Sequence, residues 1–243
     1  MRYSRAMPEF VLVHGGSHGA WCWERLHPEL ARLGYRSYAL DLPGHGQDPT
    51  PRQEVTWGSQ AEALDDFVRE LGAREVVLVG HSLAGVLIPE VAKRHPDLVR
   101  QLVFLASIVL EPGECALDTM EPGRREALLE MAEASDDHSV FLDYEIARVN
   151  FFRGLSDAEA REFFEKLTPQ PIDVFAEPAR TRVRDLGIPV RYLGFTRDAA
   201  IPPDRAAEFA RKAAVEIEMM ASAHGAMLSH PRELAERLIA GLP

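Results

Sequence analysis

"VVLVGHSLAGVLIPEVAKRHP", Val76 to Pro96, decides how this chain folds. Its opening residues are apolar without alternation, the pattern of a parallel strand covered on both faces. From Ser82 to Arg94 the spacing is helical, with a kink expected at Pro89. The hinge between the two halves is Gly80-His81-Ser82-Leu83-Ala84-Gly85. A sharp strand-to-helix turn needs small neighbours, and it thrusts a serine hydroxyl out of the fold. The helix N-terminus behind it offers backbone N–H groups and a positive dipole end to an anion. Serine is also an ordinary helix N-cap. The rest of the chain must therefore separate the two readings.

Working outward, short β-branched runs alternate with helical patterns. Strands are expected at 10–13, 36–42, 75–80, 101–107, 190–195 and 215–220, and helices at 21–33, 60–71, 82–94, 203–212 and 231–238. Strand alternating with helix implies a mostly parallel sheet of about six strands with helices on both faces. The rhythm breaks from Glu111 to about Arg182, a charged, helical stretch punctuated by Pro112-Gly113, Pro122-Gly123, Pro169 and Pro171. We read 1–110 and 183–243 as the α/β core and 111–182 as a helical cap inserted over the strand ends.

The 243 residues, 46% of them hydrophobic, suffice for one sizeable core with an excursion. A net charge of −11 argues against nucleic acid as a partner, since phosphate backbones demand clustered Lys and Arg. No apolar stretch is long enough to span a bilayer, so no membrane is expected. No signal-type apolar region follows Arg2 and Arg5, and Met7 is an alternative start that would make the first six residues dispensable. Cys22 and Cys115 allow at most one disulfide and no metal cluster. The expectation is a cytoplasmic protein with neither metal nor cofactor.

In a parallel α/β sheet, ligands sit at the C-terminal ends of the strands. Four groups of residues fall there. Ser82 ends the strand 75–80, Asp198 follows the strand 190–195, and His224 follows the strand 215–220. Histidine can take the serine proton and return it to a leaving group near neutral pH. A carboxylate behind it fixes the tautomer and stabilises the imidazolium. The fourth group is "HGGSHGAW", 14–21, at the end of the first strand. Its glycines let backbone N–H groups approach a substrate oxygen, and with the N–H of Leu83 they can form an oxyanion hole.

These stretches resemble the α/β-hydrolase superfamily, and within it the branch of plant methyl esterases and hydroxynitrile lyases with their bacterial relatives. The resemblance is carried by "FVLVHGGSHGAWCW" (10–23), "YALDLPGHG" (38–46), "VVLVGHSLAG" (76–85), "RDAAIP" (197–202) and "HGAMLSHP" (224–231). The run 151–178 resembles the cap of bacterial members, while 111–150 matches loosely. The resemblance implies the α/β-hydrolase fold, with Ser82 as nucleophile, His224 as base and Asp198 as acid. It also implies oxyanion donors at the backbone of Gly16 and Leu83. One departure is Ala84 where the elbow motif has its second glycine, with Gly85 one place later. Plant hydroxynitrile lyases carry a threonine after the first-loop histidine and a lysine after the catalytic one. Here these positions are Gly15 and Gly225, which speaks against cyanohydrin cleavage.

Each assignment has a plainer rival. Asp204 competes with Asp198, and His230 with His224. His14 and His81 read as structural hydrogen-bonders, Trp21 and Trp23 as packing residues, and Cys22 as a small buried hydrophobe. Glu130, Glu133, Asp136 and Asp137 read as a solvated face. Phe141, Phe151, Phe152, Phe163 and Phe164 are divided between core and pocket by nothing in the sequence. The expected function is hydrolysis of a carboxylic ester of a small, largely apolar molecule through an acyl-enzyme, with activity falling on the acid side as the histidine protonates. The alternatives are a cofactor-free lyase, a cyclase or lactone-forming tailoring enzyme on the same triad, and a catalytically weak small-molecule receptor.

Overall fold

The first strand, β1 (Glu9–Val13), buries every side chain, and so do β3 (Val76–His81) and most of β4 (Val99–Leu105). Successive residues point to opposite faces of a strand. Val11, Val13, Val76, Leu78, Leu102 and Phe104 accordingly join one core layer. Phe10, Leu12, Val77, Val79, Val103 and Leu105 join the layer on the other side. Burying such a side chain contributes about 1.5–3 kcal/mol, which is why these strands carry no polar alternation. The structure, a computed structural model, describes residues 7–243. Residues 1–6, which a start at Met7 would make dispensable, lie outside them.

In chain order the first half continues with α1 (Leu26–Arg32), the edge strand β2 (Ser37–Ala39), α2 (Trp57–Glu70) and α3 (Ile88–Arg94) around β1, β3 and β4. After β4 come α4 (Pro122–Glu133), β5 (Ser139–Val140), α5 (Tyr144–Asn150), α6 (Asp157–Phe164), β6 (Gln170–Pro171) and α7 (Asp173–Ala176). The chain then returns to the sheet with β7 (Val190–Phe195), α8 (Pro203–Lys212), β8 (Ile217–Met220), α9 (Ala226–Ser229) and α10 (Pro231–Ala240). The large sheet has six strands in the order β2-β1-β3-β4-β7-β8, every pair parallel. The chain leaves β1 for one edge and returns to β3 on its other side. The switch point therefore lies between β1 and β3, where a crevice opens at the strands' C-terminal ends. β5 and β6 pair antiparallel in a separate two-stranded ribbon, next to a small core of Leu117, Leu128, Val140 and Ile172.

Several boundaries differ from the sequence reading, for local reasons. The helix expected at 21–33 is a 3₁₀ turn, Ala20–Trp23, followed by α1. Pro28 sits in the first turn of α1, where a missing N–H costs nothing, whereas a continuous helix would have needed it. The helix expected at 82–94 is a 3₁₀ turn, Ser82–Val86, and then α3, with Pro89 at its second position. The proline starts a helix there rather than kinking one. Strand 36–42 shortens to β2 because the Asp41 carboxylate takes the N–H groups of Ala20 (2.6 Å) and Gln47 (2.9 Å), and the chain leaves the sheet. α2 starts three residues early, where Thr56 and Ser59 cap each other's N–H groups, both at 3.0 Å.

Candidate active site

Ser82 stands between β3 and its 3₁₀ turn with φ = 54°, in the left-handed region that a non-glycine residue occupies at a cost. The contacts around it explain that geometry. A Cβ on Gly80 would lie 2.8 Å from Ile88 Cδ1, and one on Gly85 would overlap the Ser107 side chain and the Ile108 carbonyl. The close approach falls at Gly85, so Ala84 is tolerated where the motif has glycine. The Ser82 carbonyl accepts from Ile108 N–H (3.0 Å) and from the Ser107 hydroxyl (2.6 Å). Ser107 is bracketed in turn by Tyr192, whose hydroxyl donates to the Ser107 carbonyl (2.7 Å) and accepts from its N–H (3.0 Å). β4 ends at Leu105 because Ala106 turns to φ = 41° to make this bracket.

β7 and β8 deliver the next two side chains. His224 Nδ1 lies 2.7 Å from Asp198 Oδ2, with both side chains buried. The other carboxylate oxygen of Asp198 accepts from the N–H groups of Ala200 (2.8 Å) and Ile201 (2.9 Å). The carboxylate is thus fixed from both sides, and it can only accept from Nδ1–H. His224 Nε2, also buried, has no hydrogen-bond partner among the described residues. Neither competing residue takes part in this pair: Asp204 is exposed in the first turn of α8, and His230 Nδ1 lies 2.8 Å from the Ser229 hydroxyl at the start of α10.

The loop after β1 is held by its own histidines. His14 Nε2 accepts from Leu42 N–H (3.0 Å), so its Nδ1–H donates to the Gly15 carbonyl (2.8 Å). His18 Nδ1 lies 2.8 Å from the Gly16 carbonyl, and its ring stacks on Trp21. His81 Nε2 reaches the His224 carbonyl at 3.2 Å. Burial drives the imidazoles of His14 and His81 well below their usual range, and that of His18 down to about 4. Burial also lowers His45, whose ring lies beside that of His14. These rings are neutral spacers at ordinary pH.

A cavity of about 300 Å³ opens over Ser82, and Gly16 and Leu83 line it with the serine. The apolar wall comes from Met120, Leu128, Val140, Phe151, Phe175 and Phe209. Charged side chains enter from the first turns of α4 and α8, Arg124 and Asp204 among them. Of the phenylalanines the sequence left undivided, Phe151 lines the cavity, Phe152 and Phe163 are core, and Phe141 is exposed. Trp23 and Cys22 are fully buried packing residues, and burial pushes the Cys22 thiol up. Glu130, Glu133 and Asp136 are exposed as expected, whereas Asp137 is tied to Arg52 and Ser139. Among the described residues no three His, Cys, Asp or Glu side chains are grouped to hold a metal ion. Likewise, none of the described helices is long and apolar enough to cross a membrane.

Sequence reasoning missed Tyr192 and Gln170. Gln170, buried in β6, accepts at Oε1 from Ser17 N–H (3.1 Å) and contacts His45 Nε2 (2.9 Å). Its one legible signal is position, as a polar residue between Pro169 and Pro171.

A six-stranded parallel sheet with a strained serine elbow and a buried His–Asp pair at its C-terminal ends defines a hydrolase architecture. The chain belongs to the alpha/beta hydrolase family, whose model matches residues 10–237. It is 40% identical over 116 residues to "Probable esterase PIR7A" of Oryza sativa subsp. indica, covering 46% of this chain and 43% of that protein. It is 36% identical over 114 residues to Methylesterase 2 of Arabidopsis thaliana, covering 45% and 43%. These matches span less than half the length of those relatives. Among solved structures, an extracellular alpha/beta-hydrolase from a Paenibacillus species superposes with a TM-score of 0.90 at 24% identity, covering 96% of this chain and 98% of that one. That likeness is one of fold.

Proposed function

We propose that this chain hydrolyses a carboxylic ester of a small, largely apolar molecule. Ser82 Oγ attacks the carbonyl carbon while His224 Nε2 takes its proton. The N–H groups of Gly16 and Leu83 hold the oxyanion. His224 then protonates the leaving alcohol, and water activated by the same nitrogen releases the acid from the acyl-enzyme. Asp198 keeps the imidazole in the one tautomer that leaves Nε2 free to accept.

The observation that carries this reading is the buried 2.7 Å contact between His224 Nδ1 and Asp198, with Nε2 left unpartnered among the described residues and the ring centroid 6.1 Å from that of Phe151, which lines the cavity over Ser82. The esterase names of the relatives agree with it. Residues 111–182 act as a cap that selects the substrate and excludes water, since this stretch supplies Met120, Leu128, Val140 and Phe151 to the cavity wall. A cyanohydrin lyase is disfavoured at two positions. A Cβ on Gly15 would lie 2.7 Å from Ser82 Cβ, and one on Gly225 would lie 2.5 Å from the Phe151 carbonyl oxygen. Neither position has room for the threonine or lysine of the plant lyases. Two free cysteines fit a reducing compartment, and we place the protein in the cytoplasm.

The test is turnover of a short-chain aryl ester by wild type and Ser82→Ala. Loss of the nucleophile is expected to cost on the order of 10⁶ in kcat. Equal turnover by the two proteins would remove Ser82 from the chemistry.

A further inference from the structure

We propose that Gln170 is the positioning residue of the oxyanion hole, so that the inserted segment, and not the sheet, sets the angle of the Gly16 N–H. The proposal rests on the ester-hydrolysis reading above.

Ser17 is a strained point of the first loop. Its φ of 62° is left-handed, a conformation that costs a non-glycine residue about 1–2 kcal/mol and persists only where its surroundings enforce it. Two groups from the approach to β6 clamp it. Thr168 N–H donates to the Ser17 carbonyl (2.9 Å), and Ser17 N–H donates to Gln170 Oε1 (3.1 Å). The Gln170 amide has one orientation. Its Nε2 donates to the Pro171 carbonyl (2.9 Å), so Oε1 is the atom facing Ser17, and His45 Nε2 at 2.9 Å must be a donor. Gln60 Nε2 closes the far side of His45 at 3.4 Å from Nδ1. Gln170, His45 and Gln60 are buried, and the contacts of Gln170 with Ser17, His45 and Pro171 each pair a donor with an acceptor. The Pro43 carbonyl, 3.1 Å from His45 Nδ1, accepts its proton from Gln60 Nε2 (3.1 Å).

The same amide touches the residue in question. A Cβ on Gly16 would sit 3.0 Å from Gln170 Oε1, so the loop lies directly on the amide. On the other side, the Gly15 and Gly16 carbonyls are held by His14 and His18. The Gly15–Gly16–Ser17 turn is therefore fixed by His14 and His18 from within the first loop and by Thr168 N–H and the Gln170 side chain from outside it. No hydrogen bond among the described residues occupies the Gly16 N–H. Removing the amide frees Ser17 N–H and His45 Nε2–H in a buried site, and the turn can relax toward ordinary φ.

The experiment compares wild type, Gln170→Leu and Gln170→Glu. All are titrated at Ser82 with a fluorophosphonate, assayed on an aryl ester, and inhibited with an aryl trifluoromethyl ketone. In that inhibitor Ser82 Oγ adds to the ketone carbon, the serine proton passes to His224, and the hemiketal oxyanion occupies the hole. Gln170→Leu is expected to lower kcat per titrated serine by about 10–100-fold, short of the 10²–10³ for a donor lost outright, with KM changed less than about threefold. The inhibition constant should rise by the same factor as kcat falls. Gln170→Glu keeps an acceptor for Ser17 and should recover part of both. A variant whose kcat per titrated serine and ketone affinity equal those of wild type would overturn the proposal while leaving the hydrolase intact. Loss of melting temperature with unchanged kcat per site also overturns it, as a purely structural role would give that result. Wild-type protein that is neither titrated at Ser82 nor active on the ester would overturn the hydrolase reading itself, and the proposal with it.

Discussion

His81 Nε2 lies 3.2 Å from the carbonyl oxygen of His224, a residue 143 positions away in sequence. The side chain next to Ser82 thus holds the backbone of the histidine that we assign as base. A buried imidazole suits this role because it is rigid and stays neutral, and its ring centroid lies 4.4 Å from that of His224. Replacing it with leucine removes the donor and lets the His224 loop drift. A drift of about 1 Å costs on the order of 10²-fold in rate. His81→Leu is therefore expected to lower kcat by about 10–100-fold with KM nearly constant, and His81→Gln, which keeps a donor, to recover part of it. Steady-state kinetics on an aryl ester checks both.

Asp198→Asn should be as damaging as the geometry is intact. The asparagine oxygen can still accept from Ala200 and Ile201, but its NH₂ then faces His224 Nδ1. The imidazole must switch its proton to Nε2 and can no longer accept from serine. A fall of about 10⁴ in kcat is expected, with an unchanged melting temperature. A loss under tenfold would show that Asp198 does not set the tautomer.

Gly225→Ala tests the contact between the His224 loop and the Phe151 backbone. The added methyl would sit 2.5 Å from the Phe151 carbonyl oxygen, a backbone atom that cannot swing aside. Overpacking of this kind costs about 1–3 kcal/mol. A lowered urea midpoint and impaired turnover should appear together. A stable, fully active variant would mean that the segment yields at no cost.

Stability should fall with acid before any carboxylate titrates. His18 is held neutral down to about 4 by burial, and His14, His45 and His81 are lowered for the same reason. A histidine whose folded pKa is depressed binds its proton first in the unfolded chain, so its contribution is complete above about pH 6.5 and is lost as pH drops below it. For His18 alone the loss between pH 6.5 and 4 is about 3 kcal/mol. Urea unfolding at pH 7.5, 6 and 5 should show the midpoint moving steadily down, with a shallower slope in His18→Phe. A midpoint constant over this range would contradict the neutral-imidazole assignment.

What the sequence discloses here is what periodicity and strand-end position disclose. β1 and β3 are legible because buried parallel strands need apolar residues on both faces, and α8 because Pro203 marks its start. Asp198 and His224 are separable from Asp204 and His230 because they fall at strand ends rather than at helix starts. Tyr192 and Gln170 carry no such mark. Each acts through a side chain reaching a distant segment, as Gln170 reaches His45 over 125 positions. Local pattern cannot encode a partner that only the tertiary fold brings near. The broken helices failed for a simpler reason: hydrophobic spacing runs smoothly through Pro28 and Pro89, but backbone hydrogen bonding does not.

Gly225 beneath the Phe151 carbonyl and Gly16 against the Gln170 amide share one arrangement: a glycine where the segment 151–170 presses on it. The segment 151–170 and the two loops that carry these glycines are therefore matched to each other. A segment transplanted from a relative would have to bring a carbonyl and an amide to these two places, or meet glycines facing empty space. On the proposed reading, substrate preference varies along Met120, Leu128 and Val140, which line the cavity, within the limits of the small core that Leu128 and Val140 share with Leu117 and Ile172. On the same reading, mutational drift around 151–170 would disturb the catalytic geometry, so specificity and catalysis should diversify at different rates along one continuous stretch of chain.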